Sequence, residues 1–185
     1  MTEHLVFFVE GQSERDFLEG FLPKVIQPHV TAHFQVFKGK QDLEKQLVRR
    51  MKYWLLPNTE FVVLRDQDSG DCVAIKDKLR ELCLEAGRPN AVVRIACREL
   101  ETFFVGDWSA IATAFDRPGV AGFGKKAKYR NPDLLGSPSA EIKRHIPGFQ
   151  KREGARRIAP HLDPTKNQSH SFKVLVQALQ RIAAP

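Results

Sequence analysis

The chain has 185 residues, 42% of them hydrophobic and 28% charged, which suits a single globular domain with a real core and excludes a low-complexity chain. The net charge of +7 is unevenly placed: residues 117–185 carry 14 Lys and Arg against 4 Asp and Glu, while the first 116 carry 15 against 18. An acidic part able to hold a cation, followed by a basic part able to hold phosphates, is the pattern of a protein acting on nucleic acid, although plain solvated surfaces show such asymmetry too.

The first apolar run, Leu5-Val6-Phe7-Phe8-Val9, reads as a buried strand. It is far too short for a signal peptide or a membrane span, so the expected location is the cytoplasm, with no membrane partner. The run ends in Glu10-Gly11-Gln12-Ser13-Glu14, where Ser13 is the expected N-cap and Glu14 an acidic residue favouring the helix start. Phe17, Leu18, Phe21, Leu22 and Val25 follow helical spacing and predict a helix over roughly Glu14–Gln27, with Pro23 kinking or dividing it. Residues Val30 to Phe37 alternate as a second strand, nearer an edge. Asp42 to Leu56 then reads as a helix with Leu43, Leu47, Met51, Trp54 and Leu55 on one face, stopped at Pro57-Asn58.

Phe61-Val62-Val63-Leu64 is an apolar run without polar alternation, as expected of a strand buried on both faces of a parallel sheet. It ends in Asp66-Gln67-Asp68. A helix over Cys72–Ala86 follows, with Asp71 as a capping residue and Gly87 closing its end. Ala91–Ala96 is the fourth strand, ending in Arg98-Glu99-Leu100-Glu101, and short helices follow around Phe103–Val105 and Trp108–Phe115. Strand and helix thus alternate four times, which predicts an α/β fold with a mainly parallel sheet of about four strands flanked by helices. From Pro118 glycines and prolines punctuate a basic extension. It holds the cluster Lys125-Lys126-Ala127-Lys128-Tyr129-Arg130, a helix near Ser139–His145, and two more over Glu153–His161 and Ser171–Ala183. Residues 1–116 are read as the α/β domain and 117–185 as the extension packed on it. Cys72, Cys83 and Cys97 are odd in number, widely spaced and without a Cys-x-x-Cys, so they are read as reduced thiols rather than a zinc or disulfide framework. The six histidines form no close pair with helical metal-ligand spacing.

Acid follows three of the strands: Glu10, then Asp66 and Asp68, then Glu99 and Glu101. In a parallel sheet these ends share one edge, where ligands of open α/β sheets bind. Crowded carboxylates repel, and a divalent cation relieves them. Mg²⁺ takes oxygen ligands and needs only one or two protein carboxylates. Such an ion polarises a phosphodiester and activates water. Glu10 is the candidate acid or base, and basic residues of the extension, among them Arg156 and Arg157, are candidates to neutralise developing charge. The bland alternative is that these acids only cap helices. There is no Gly-x-Gly-x-x-Gly, no Gly-x-x-x-x-Gly-Lys-Ser/Thr and no Gly-x-Ser-x-Gly, so dinucleotide, Walker-type nucleotide and serine-hydrolase readings lack their motifs. A phospho-acceptor of receiver type lacks a fifth strand ending in Lys.

Val9-Glu10-Gly11-Gln12-Ser13-Glu14 followed by Asp66-Gln67-Asp68 resembles the Toprim domain, the metal-binding module of primases, topoisomerases and the overcoming-lysogenisation-defect nucleases. Arg98-Glu99-Leu100-Glu101-Thr102-Phe103-Phe104 with Asp107 looks more narrowly like domain of unknown function family 4276. So do Phe149-Gln150-Lys151-Arg152-Glu153-Gly154-Ala155 and Ser169-His170-Ser171-Phe172. The resemblance spans nearly the whole chain. It implies a Toprim-like Rossmannoid fold. It also implies a Mg²⁺- or Mn²⁺-dependent nuclease or phosphodiesterase acting on DNA or RNA, with an ATPase partner in anti-phage defence. By resemblance Glu10 is the acid/base carboxylate, Asp66 and Asp68 are metal ligands, Glu99 or Glu101 completes the site or binds a second cation, and Lys151 contacts phosphate. With Tyr53 and Tyr129 the only tyrosines, neither in a topoisomerase context, that activity is a poor fit. The alternatives are a non-catalytic module of an ATPase complex and a structural domain whose acids only cap helices.

Overall fold

Four strands, the inner two too apolar to face water on either side, set the architecture of the computed structural model, which describes residues 1–183. They are β1 (His4–Val9), β2 (Thr31–Val36), β3 (Thr59–Asp66) and β4 (Val92–Ala96), arranged as one sheet in the order β2-β1-β3-β4. All pairings are parallel; Val9 lies opposite Val36 on one side and Leu64 on the other, and Asp66 lies opposite Ala96. The two inner strands are the unbroken apolar runs, and Leu5 through Val9 and Val62 through Leu64 are fully buried. β2, whose sequence alternates, is an edge strand.

Strand side chains alternate between faces, and the core divides accordingly. Leu5, Phe7, Val9, Val62 and Leu64 pack under α1 (Gln12–Phe21), α4 (Glu101–Val105), α5 (Trp108–Phe115), α7 (Lys151–Ile158) and α8 (His170–Ile182). Val6, Phe8, Phe61 and Val63 pack under α2 (Lys40–Lys52) and α3 (Cys72–Glu85). The basic segment adds 3-10 turns and α6 (Pro138–His145). An aromatic cluster ties first and last helices together: Phe17 and Phe103 rings lie 5.6 Å apart, Phe21 and Phe172 5.0 Å, and Phe103 and Phe172 5.4 Å. Among the described residues no helix is long and apolar enough to cross a membrane. The last two residues of the extension, 184 and 185, lie outside the described residues.

Two helices depart from their expected ends, and a third keeps its expected caps. The cap of α1 is Gly11, not Ser13, and the helix ends at Phe21, where Pro23 opens a 3-10 turn, Leu22–Lys24. Helix α2 ends at Lys52. Trp54 is held outside it, its indole donating to the Thr59 hydroxyl at 3.2 Å, and Leu55, expected inward, is 89% exposed. Helix α3 is closed by a Schellman motif: Gly87 at φ +74° supplies the left-handed residue, and the Arg88 amide donates to the Cys83 carbonyl. Its other end is capped by Asp71, whose carboxylate accepts from the Ala74 amide at 2.7 Å. Asp71→Ala is expected to cost about 1 kcal/mol in a urea midpoint measurement and to leave any response to divalent cations unchanged.

Candidate carboxylate site at the sheet edge

The parallel pairing continues past the strand ends and brings the acidic turns together. The Gly39 amide donates to the Glu10 carbonyl, the Gln67 amide to Ala96 and the Asp68 amide to Arg98. Alternation along β3 then sorts the side chains. Leu64 and Asp66 point toward α1 and α4, whereas Arg65 points toward α2. Val9 packs with Leu64, so Glu10 joins Arg65.

Asp66 sits among charges of its own sign. Burial, with the carboxylates of Glu14, Glu101 and Glu10 beyond it, holds its carboxyl well above the usual carboxylate range, and Lys151 offsets this only in part. Glu14 is only 6% exposed; burial pushes its carboxyl up to about 7, with the charges of Glu10 and Glu101 adding to the effect. It stands at the third position of α1, where backbone amides of Gly11 and of Glu14 itself favour its charged form. A side-chain carbon at residue 11 would stand 3.2 Å from the Glu14 carboxylate, so the glycine leaves room for that acid to fold back. Glu101, the first residue of α4, is 1% exposed, and burial raises its carboxyl, with the charge of Glu99 adding and that of Lys151 opposing.

Glu10 is raised by burial and by Asp68, with Arg65 and the Asp66 amide working the other way. Its Oε2 faces the Arg65 Nε at 3.9 Å, too far for a hydrogen bond, and both atoms are buried without a partner. Arg65 is anchored instead on Glu44, which Lys78 also grips at 2.5 Å. Asp68, at φ +54°, lies further out and pairs with Lys40 at 2.8 Å.

The remaining predicted residues divide. Glu99 spends both oxygens on structure: one accepts from the Ser139 amide at 2.9 Å, the other from the Ser139 hydroxyl at 3.0 Å and from Lys151 at 3.1 Å. Burial works against its charge, but these donors hold its carboxyl below the ordinary value. Lys151 also reaches Glu101, at 3.3 Å. Burial opposes the charge of this lysine, yet Glu101 and Glu99 hold its pKa above the usual range. Lys151→Met is expected to lower stability by about 1–3 kcal/mol, solvent screening of the half-exposed ammonium allowed for, and a thermal melt beside the wild type reads it.

Elsewhere in the basic segment the charges have other partners. Lys128 pairs with Glu141 at 2.7 Å and Lys126 lies 3.3 Å over the Phe123 ring. Arg156 reaches Asp16 at 3.2 Å, and Arg157 donates to the Ala114 carbonyl and covers Phe115. Lys125 lines a cavity with Asp107 and Asp163, and Arg130 is exposed on the surface. Residues not foreseen at the site are Glu14, read as a capping acid only, and the Arg65, Glu44 and Lys40 charges. The one local signal for Glu14 is the glycine three positions before it.

A hard divalent cation suits these donors chemically. Buried anionic oxygens without partners are costly, and Glu10 Oε2, Asp66 Oδ1 and Glu101 Oε1 are in that state, while Glu101 Oε2 has the Lys151 ammonium at 3.3 Å. Among the described residues no group of three or more His, Cys, Asp or Glu side chains is arranged to hold a metal ion. The donors therefore have the right chemistry without being drawn to one point.

Comparison with solved structures places the fold. The C-terminal region of the Burkholderia pseudomallei OLD protein matches with a TM-score of 0.52 at 18% identity, over 97% of this chain and 98% of that one. The C-terminal region of the Xanthomonas campestris pv. campestris OLD protein matches with a TM-score of 0.52 at 15% identity, over 100% of this chain and 97% of that one. No curated protein matches. The model of the domain of unknown function DUF4276 matches residues 9–180, and the chain belongs to that family.

Proposed function

We propose that this protein is a Mg²⁺- or Mn²⁺-dependent nuclease or phosphodiesterase acting on nucleic acid. The observation that carries the reading is the group of buried carboxylates without partners at the carboxyl edge of a parallel sheet, in a chain whose fold is that of the OLD C-terminal regions. Glu10, Asp66, Asp68 and Glu101 would hold the cation, which when bound supplies Lewis-acid polarisation of a phosphodiester and a more acidic water. Glu10, its carboxyl raised by burial and by Asp68 and set beside the Asp66 amide, is the group suited to take or give a proton. Lys151 and Lys40 bring positive charge beside the carboxylates, where charge develops on phosphate oxygens. Glu99, occupied by Ser139, serves to fix Lys151 and the start of α6. Anti-phage defence and an ATPase partner follow from the family resemblance.

A second reading is a non-catalytic module of an ATPase complex. It is favoured by the absence, among the described residues, of an acidic group already gathered for a metal. The separating experiment incubates plasmid, single-stranded DNA and RNA with the protein and Mg²⁺ or Mn²⁺. Cleavage by the wild type, lost in Glu10→Ala and Asp66→Ala, is expected; cleavage retained in both variants refutes the proposed chemistry.

A further inference from the structure

We propose that a cleft at the open sheet edge, continued along the outer face of α2, binds single-stranded nucleic acid. On β2, Ala32, Phe34 and Val36 pack against the larger core, so His33 and Gln35 face the side on which α2 lies. Helix α2 covers the inner strands there and leaves this edge open. The result is a cleft of about 440 Å³ lined by Gln35, Arg49, Arg50, Tyr53 and Trp54. A second hollow of about 480 Å³, lined by Asp42, Lys45, Gln46 and Arg49, shares the Arg49 side chain with it.

The lining has the chemistry of a stacking platform beside a cationic track. Tyr53 is 70% exposed. Trp54 is fixed beside it by its indole bond to Thr59 and by the edge of the His33 ring at 5.2 Å. Arg49, Arg50 and Lys45 supply charge for phosphates and Gln35 an amide for a base edge. The acid in the lining, Asp42, is already engaged by the Lys38 amide at 3.0 Å and by Gln46. In a parallel crossover the helix runs back against the strands, so the track leads up α2 to Lys40, which grips Asp68. An exposed ring face suits an unpaired base, because a duplex hides its ring faces in the stack. The placement extends the nucleic-acid reading above and rests on it for the track's destination; the cleft itself needs no cleavage to be tested.

Fluorescence anisotropy with the intact protein in EDTA, using labelled oligothymidylate, oligouridylate and a duplex, tests it. Single strands are expected to bind more tightly than the duplex. Tyr53→Ala is expected to weaken them about tenfold. Arg49→Gln with Arg50→Gln is expected to weaken them and to flatten the salt dependence by about one to two powers of salt. Comparison of the two oligonucleotides separates DNA from RNA. These side chains are exposed, so unchanged thermal melts will show that the variants fold. Wild-type affinity in both variants overturns the cleft, as does a loss of self-association in place of oligonucleotide binding. Loss of binding in the variants of a protein that cuts nothing leaves the cleft standing and defeats the nuclease reading. Cleavage with variant binding unchanged does the reverse.

Discussion

In metal-free buffer the protein is expected to lose stability as the pH rises from about 4.5 to about 7, and Glu14→Gln is expected to remove much of that loss. Glu14 has an ordinary value of 4.5 and stands at about 7 in the fold. Across that interval the folded chain binds more protons than the unfolded one, so the unfolding free energy falls as pH increases. At about 1.4 kcal/mol per pH unit, this one buried carboxyl costs on the order of 3 kcal/mol above neutrality. Burial raises Asp66, Glu10 and Glu101 in the same direction, which extends the slope. The replacement keeps Glu14's shape and removes its charge, so the variant is expected to melt higher than wild type at pH 7 and to match it near pH 4. A cation held by these acids reverses the slope for the wild type, because binding to the folded state adds about 2.7 kcal/mol at a hundredfold excess over Kd. Asp66→Asn is expected to melt higher without metal and to show no gain when Mn²⁺ is added. Equal melting of wild type and Glu14→Gln at pH 7 would show that the acids are not held charged against one another.

Gly106→Ala is expected to destabilise the fold by about 3–5 kcal/mol without touching the carboxylates. Residue 106 closes α4, and a side-chain carbon there would lie 2.0 Å from the Asn167 Oδ1. Asn167 is fully buried and is bound at both ends. Its amide nitrogen donates to the Phe103 carbonyl at 2.7 Å and its oxygen accepts from the Ser169 amide at 2.9 Å. Ser169 in turn caps α8 through its bond with the Phe172 amide. The added methyl therefore strains the backbone of both segments and also expels Asn167 from its two bonds. Overpacking costs about 1–3 kcal/mol and each lost hydrogen bond about 1. A urea midpoint close to wild type would show that the segment around Asn167 gives way freely.

The four parallel strands, the helices flanking them and the edge carrying the acids were legible in residue patterns, because buried parallel strands demand unbroken apolar runs and crossover helices demand apolar stripes; the order β2-β1-β3-β4 and the division of the core between two faces came only with the fold. Glu10 and Asp66 could be named for the same reason: each follows a run that can only be a central strand. Helix ends were less legible, since Trp54 left its helix for contacts with Thr59 and His33, residues of other strands. Tertiary structure alone decided which carboxylates stay free. Glu99 and Glu101 lie two residues apart, yet Ser139, forty positions away, takes both oxygens of Glu99, while Glu101 keeps one oxygen without a partner and the other beside Lys151. Glu14 became a buried acid with the charges of Glu10 and, from another turn, Glu101 set against it. Linear order records which residues follow a strand, whereas protonation and pairing depend on the distance between segments that only folding brings together.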